Sequence, residues 1–331
     1  MAIPRTLMAT LGCLAAVALG GCGGSSRIGE DLPRQDARLM LDATPGAVHA
    51  GIALAAERGF DRGEGVRLRL RRPGAGGALP ALRRGQVEAA IVPLGELFAL
   101  RERGVDAVGV MALVQRPLTT VLAEAGVRSG RDLERRRVAV GSGRADAAVL
   151  RSVVTADDGR LDRVEVVSGG EPADWLEAGR VEAAVVDAIS EGVAARARRP
   201  ELLELDPAER GVPTHPELVV VVTRTTLDER ASVVRALIRA LQRGYREAQV
   251  DPESAASALA ARGARDERVT LLAQLDAVSP AWTAGAGAYG RLRPEALRAW
   301  ARWAVAAEVL DERPSVERAF RTDLVSRQST P

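Results

Sequence analysis

Six side chains that can donate or accept hydrogen bonds sit where an apolar run gives way to a helical one: Asp42, Thr44, Glu96, Ser142, Asp187 and Glu191. They fall at four such joints, residues 42–46, 92–96, 141–146 and 186–191. In open α/β sheets, ligands settle beyond the carboxyl ends of the strands, where helix N-termini offer unpaired N–H groups. Carboxylates and hydroxyls there suit the holding of a small polar solute. Most also have a plainer role: Thr44 and Ser142 as helix caps, Glu96, Asp187 and Glu191 as complements of helix dipoles. The chain has two histidines, His49 and His215, and no motif surrounds either, so no histidine metal site or hydrolase triad is expected. His49 lies beside the core face of its helix. His215 precedes Pro216 ahead of an apolar run and serves equally as a cleft-touching hinge residue or a plain loop residue.

The basic side chains are all arginine, because the 331-residue sequence contains no lysine. A lysine Schiff base and a P-loop lysine are therefore excluded. A formal net charge of +2 with scattered arginines argues against a nucleic-acid-binding stripe. Hydrophobic content of 47% with 27% charged residues fits a folded globular body, and the length predicts two domains or lobes. "GAGAYG" (285–290) matches a dinucleotide fingerprint in letters only, since no strand precedes it. No cofactor is expected.

The elements that must position these residues come from periodicity. Strands are expected at 38–42, 65–71, 87–92 and 163–169, with Thr44 and Pro45 opening a helix that Gly59 stops. "LRRGQVEAAIV" (82–92) and "LEAGRVEAAVV" (176–186) are nearly the same phrase, a turn followed by a buried strand. The repeat marks equivalent strand-to-helix units in two similar lobes. An apolar strand at 217–223 precedes helices at 228–249, 252–262, 266–277, 294–309 and about 314–324. Such a block is expected to pack back onto the first lobe. "RAWARWAV", with Trp300 and Trp303 at helical spacing, reads as core, as does Trp282. The predicted division is lobe 1 at 38–124 and 218–331, lobe 2 at 125–217, with the four joints facing one cleft.

The N-terminus carries Arg5, a short apolar stretch and small residues before Cys22. That is the pattern of a secretory signal at 1–21, too short for a spanning helix. "LGGC" resembles the bacterial lipobox, which predicts lipidation at Cys22, a flexible tether at 22–37, and a body outside the cytoplasm anchored to the membrane.

"LMLDATPGAVHAGIALAAERGF" resembles the opening of the thiamine-pyrimidine-precursor type of periplasmic binding protein, "LEAGRVEAAVVDAISEGV" its acidic cleft segment, and "HPELVVVVTRTTL" its return strand. The resemblance covers nearly the whole mature chain. It implies a two-lobe type II periplasmic binding protein fold, each lobe an open mixed sheet flanked by helices, and delivery of a small solute to an ABC importer permease by a monomer. It also adds Gln115 as a polar contact beside Asp42, Thr44, His49 and Glu191. Ala43, Gly46 and Ala188 stand where the family pattern carries tryptophan, asparagine and an aromatic residue, which removes two stacking platforms. The expected cargo is a thiamine pyrimidine precursor or similar heterocycle. Alternatives are sulfonate, taurine, nitrate or riboflavin, or a non-transporting sensor or partner-binding lipoprotein. No catalysis is expected.

Overall fold

A computed structural model describes residues 35–325 apart from Ala75. The expected signal, Cys22 and the tether up to residue 34 lie outside the described residues. The chain begins as β1 (Gln35–Met40), turns through a 3-10 segment (Ala47–His49) into α1 (Ala50–Glu57) and α2 (Phe60–Gly63), and continues as β2 (Val66–Arg71), α3 (Ala78–Arg83), β3 (Ala89–Pro93), α4 (Leu94–Glu102) and β4 (Ala107–Ala112). It then crosses to β5 (Thr119–Ala123), β6 (Arg137–Ala139), α5 (Arg144–Ala156), β7 (Glu165–Val167), α6 (Pro172–Glu177), β8 (Ala183–Asp187), α7 (Ser190–Arg198) and β9 (Leu203–Leu205). It returns through β10 (Leu218–Thr223) to α8 (Arg224–Glu229), α9 (Ala231–Val250), α10 (Pro252–Ala261), α11 (Arg268–Val278), α12 (Pro294–Ala306) and α13 (Val316–Ala319).

These strands form two five-stranded sheets, ordered β2-β1-β3-β10-β4 and β7-β6-β8-β5-β9. The two orders are the same arrangement. In each, a strand arriving from the other side of the crossover, β10 or β5, runs antiparallel to both of its neighbours. Burial on both faces explains the valine run of β10: Val220 and Val222 pack into one core cluster, Val219 and Val221 into the opposite one. The second sheet is likewise covered on both faces.

The repeated phrase has a shared job. Glu88, just ahead of β3, accepts from the backbone N–H of Arg38 on β1 at 2.7 Å, and Glu182, just ahead of β8, accepts from the N–H of Arg137 on β6 at 2.8 Å. The backbone bonds are paired too, Glu88 N to Arg38 O and Glu182 N to Arg137 O. Each glutamate thus fixes the register of the third strand of its sheet against the second. Glu88 is only 5% exposed and also engages the guanidinium groups of Arg38 and Arg230.

Three local expectations are corrected. β1 begins at Gln35, so the expected tether to residue 37 overlaps the first strand. Thr44 and Pro45 do not open a helix: the first turn starts after Gly46, whose N–H is taken by His49 Nδ1 at 3.2 Å, so the cap comes from downstream. Residues 119–123, assigned by sequence to lobe 1, pair with β8 and β9 and belong to the second sheet. The C-terminal helical block is present, although its last expected helix shrinks to Val316–Ala319. Among the described residues, no helix is long and apolar enough to cross a membrane.

Candidate functional site

Two adjoining cavities lie where the carboxyl ends of the two sheets meet, and both are bordered by Pro93, Thr119 and Glu217. The first, of about 520 Å³, is reached by Asp42, Thr44, His49, Asp187 and Gln274; the second, of about 590 Å³, by Glu96, His215, Trp300 and Trp303. Both fall in the size range of small-molecule sites, about 300–1,000 Å³. The lobes also touch around the second cavity, where Trp303 Nε1 donates to Ser152 Oγ at 3.1 Å and Arg144 pairs with Asp311 at 2.9 Å.

Local folding aims each group. His49 is 2% exposed, and because its Nδ1 accepts from Gly46 N–H, the proton sits on Nε2 and is donated to Asp42 Oδ1 at 2.7 Å. His49 therefore acts through Asp42, holding that carboxylate at the end of β1. Asp187, at the end of β8, turns its Oδ1 back onto Ile189 N–H (2.9 Å), Ser190 N–H (2.7 Å) and Ser190 Oγ (2.9 Å). Glu191 accepts from Asp187 N–H at 2.8 Å and so braces this turn; it borders neither cavity.

The segment leading into β10 supplies the remaining pair. His215, 5% exposed, donates from Nδ1 to the carbonyl of Pro213 at 2.7 Å, which leaves Nε2 as a lone-pair acceptor 3.7 Å from Glu217 Oε2. Burial pushes the His215 pKa down to about 4, so the ring is neutral at physiological pH. Burial, then the charges of Asp187, Asp146 and Asp42, push Glu217 up to about 7, against a long hydrogen bond from Leu118 N–H. The same crowding extends outward. Glu96 is raised by burial and by Asp42, Asp187 by burial and Asp42 despite its turn bonds, and Glu191 by burial and its acidic neighbours. Asp146 is raised by burial, its carboxylate folded against the glycine turn at Gly141 and Gly143. A cleft built this way presents acceptors and excess negative charge. Its arginines stand at the borders: Arg265 at the first cavity, and at the second Arg144, paired with Asp311, and Arg103 beside Glu96.

The cavities thus gather Asp42, Thr44, His49, Glu96, Asp187 and His215 from the sequence-derived set. Gln115 does not join them: it is fully buried, with Nε2 donating to Arg291 O at 2.8 Å and its backbone N–H to Ala281 O. Ser142 is exposed and caps nothing, because Gly143 occupies the N-cap of α5. Periodicity concealed Glu217, Gln274, Trp300 and Trp303. Glu217 had a signal, a lone carboxylate at the entrance of a strand buried on both faces. Trp300 and Trp303 do belong to a packed helix, and Trp300 stacks on Phe98 with centroids 5.6 Å apart, yet both also wall the second cavity.

A model of the NMT1/THI5-like family matches residues 46–255. The formylaminopyrimidine-binding protein of Halalkalibacterium halodurans is 26% identical over 251 residues, 74% of this chain and 76% of that protein. Among solved structures, the periplasmic aliphatic sulphonate binding protein SsuA of Escherichia coli superposes with a TM-score of 0.69 at 13% identity, covering 86% of this chain and 97% of that one. The desulfurization enzyme DSZB superposes with a TM-score of 0.60 at 14% identity, covering 88% and 97%. At such identities the structures speak for the fold alone, and the fold hosts both carriers and an enzyme, so function has to be argued from the site.

Proposed function

We propose, from the premise that the chain belongs to the NMT1/THI5-like family, that it is an extracytoplasmic binding lipoprotein that captures an aminopyrimidine-type solute between its lobes for an ABC importer. The observation that carries this reading is the cleft's chemistry: Asp42, Asp187 and Glu217 border one cavity as acceptors. An amino-substituted heterocycle offers N–H donors to the oxygens these acids leave free, and the relative named for formylaminopyrimidine binding supports the class. Sulfonate and nitrate would meet Asp42, Asp187, Glu217 and Asp266 with Arg265 as the one arginine of the described residues at that cavity, a costly arrangement. The lipobox-like "LGGC" supports a lipid anchor at Cys22, and the receptor works as a single chain that hands its cargo to a permease. No catalysis is assigned, because none of the cleft residues forms a nucleophile-and-base pair.

Thermal stability of the full chain against 4-amino-5-hydroxymethyl-2-methylpyrimidine, taurine, an alkanesulfonate and nitrate tests the reading, since a ligand that binds only the folded state raises the melting temperature. A saturable rise with the aminopyrimidine is expected. A rise with an anion alone would overturn it.

A further inference from the structure

A single six-membered ring in the first cavity leaves the second one vacant, although the second is the larger, about 590 Å³ against about 520 Å³. Its walls differ in kind. Trp300, Trp303 and Leu310 make it apolar, while Glu96, Glu102 and Glu217 put carboxylates at its border, against Arg103 and an Arg144 that is paired with Asp311. Neither Glu96 nor Glu217 is paired with an arginine among the described residues; Glu217 faces the imidazole of His215 and the N–H of Leu118. His215 borders the cavity as well, a largely buried ring whose Nε2 accepts no hydrogen bond from another of the described residues. Apolar walls edged by carboxylates suit a cation on a flat or greasy body.

Resting on the proposed function, we infer that the second cavity is the other half of a two-part site, and that it holds an apolar, positively charged nitrogenous group linked to the hydrogen-bonding ring in the first. The cargo class is therefore an organic cation with two joined groups, with Glu217, common to both cavities, at the junction.

The test compares two probes on the full chain by calorimetry: 4-amino-5-hydroxymethyl-2-methylpyrimidine, and thiamine, which joins the same aminopyrimidine to a thiazolium cation. The expected result is at least tenfold tighter binding of thiamine, with that ratio falling at least threefold in E96Q. Glu96 is half-buried and makes no hydrogen bond among the described residues, so its isosteric variant folds, and the ratio within one variant cancels any general loss of stability. Equal affinities in the unaltered protein, or a ratio that E96Q leaves unchanged, would overturn the two-part site and leave the proposed function standing. Binding of thiamine alone, with the ratio sensitive to E96Q, would uphold the second cavity while removing the pyrimidine as an independent cargo. Binding of neither probe would overturn both.

Discussion

His215 Nε2 stands 3.7 Å from Glu217 Oε2 with no arginine between them, a neutral ring beside a carboxyl that is half protonated near pH 7. The two groups pull stability in opposite directions as pH changes. Glu217 has a raised folded pKa, so the folded state holds more protons between about 4.5 and about 7 and its stability falls as pH rises through that window. His215 has a depressed one, so the unfolded state holds more protons between about 4 and 6.5 and stability rises there.

The two contributions offset one another below pH 6.5 in the unaltered protein. In E217Q only the histidine contribution remains, and the other cleft acids, Asp42, Glu96, Asp146 and Asp187, are common to both proteins. The melting temperature of E217Q relative to the parent is therefore expected to climb from pH 5 to pH 7.5. Parallel melting curves across that range would show that Glu217 is not carrying a raised pKa.

Asp42 depends on His49 for its placement. Replacing His49 with alanine removes both the donor to Asp42 and the acceptor for Gly46 N–H, and opens a buried gap, at a cost of about 1–3 kcal/mol in unfolding experiments. Aminopyrimidine affinity is expected to fall about tenfold or more, equivalent to about 1.4 kcal/mol. D42N should lose the affinity without the stability, since it relieves like-charge crowding while keeping the shape. Equal destabilisation of both variants would refute the positioning role.

The paired glutamates are not equal in energy. Against burial, which pushes it up, hydrogen bonds from Arg38 and the charge of Arg230 hold the Glu88 carboxyl below its ordinary value. Its counterpart Glu182 bonds Arg137 alone, with a side chain 29% exposed. Charge-assisted bonds are worth about 1.5–3 kcal/mol when buried and less when wet. E88A should accordingly lose about 2 kcal/mol more than E182A in urea denaturation; similar losses would mean that the arginine pair adds nothing.

At the crossing of α1 and α9, Gly244 lies against Gly51, and a Cβ on Gly244 would fall 1.9 Å from the Gly51 carbonyl. Backbone cannot give way as a flexible side chain does. G244A is expected to destabilise by about 1–3 kcal/mol through overpacking, whereas G74A, with nothing within 4 Å of the new atom, should be neutral. A stable G244A would show that the two helices slide apart freely.

The sequence shows two alike lobes because β3 and β8 are long enough and apolar enough on both faces to announce themselves, and because the glutamate ahead of each is a repeated letter. It misplaces β5 because an apolar run such as "LTTVLAEA" carries no sign of which sheet it joins; that is set by pairing with Val185 and Ala184 on β8, some sixty residues away. Within the site, Asp42, Glu96 and Asp187 are legible as acids at strand-to-helix joints. Trp300 and Trp303 are not, since a helix spacing reports burial but not whether the buried face meets a core or a cavity.

The two glutamate staples also act as rulers. Each pins its strand at the end remote from the cleft, and β3 and β8 then run five residues each to Pro93 and Asp187, a fixed reach of about 16 Å at the usual rise per residue. The two jaws of the cleft are therefore cut to one length by a measurement made at the far edge of each lobe, and a slip of a single residue at Glu88 or Glu182 would exchange the inward and outward faces of a jaw as well as its height.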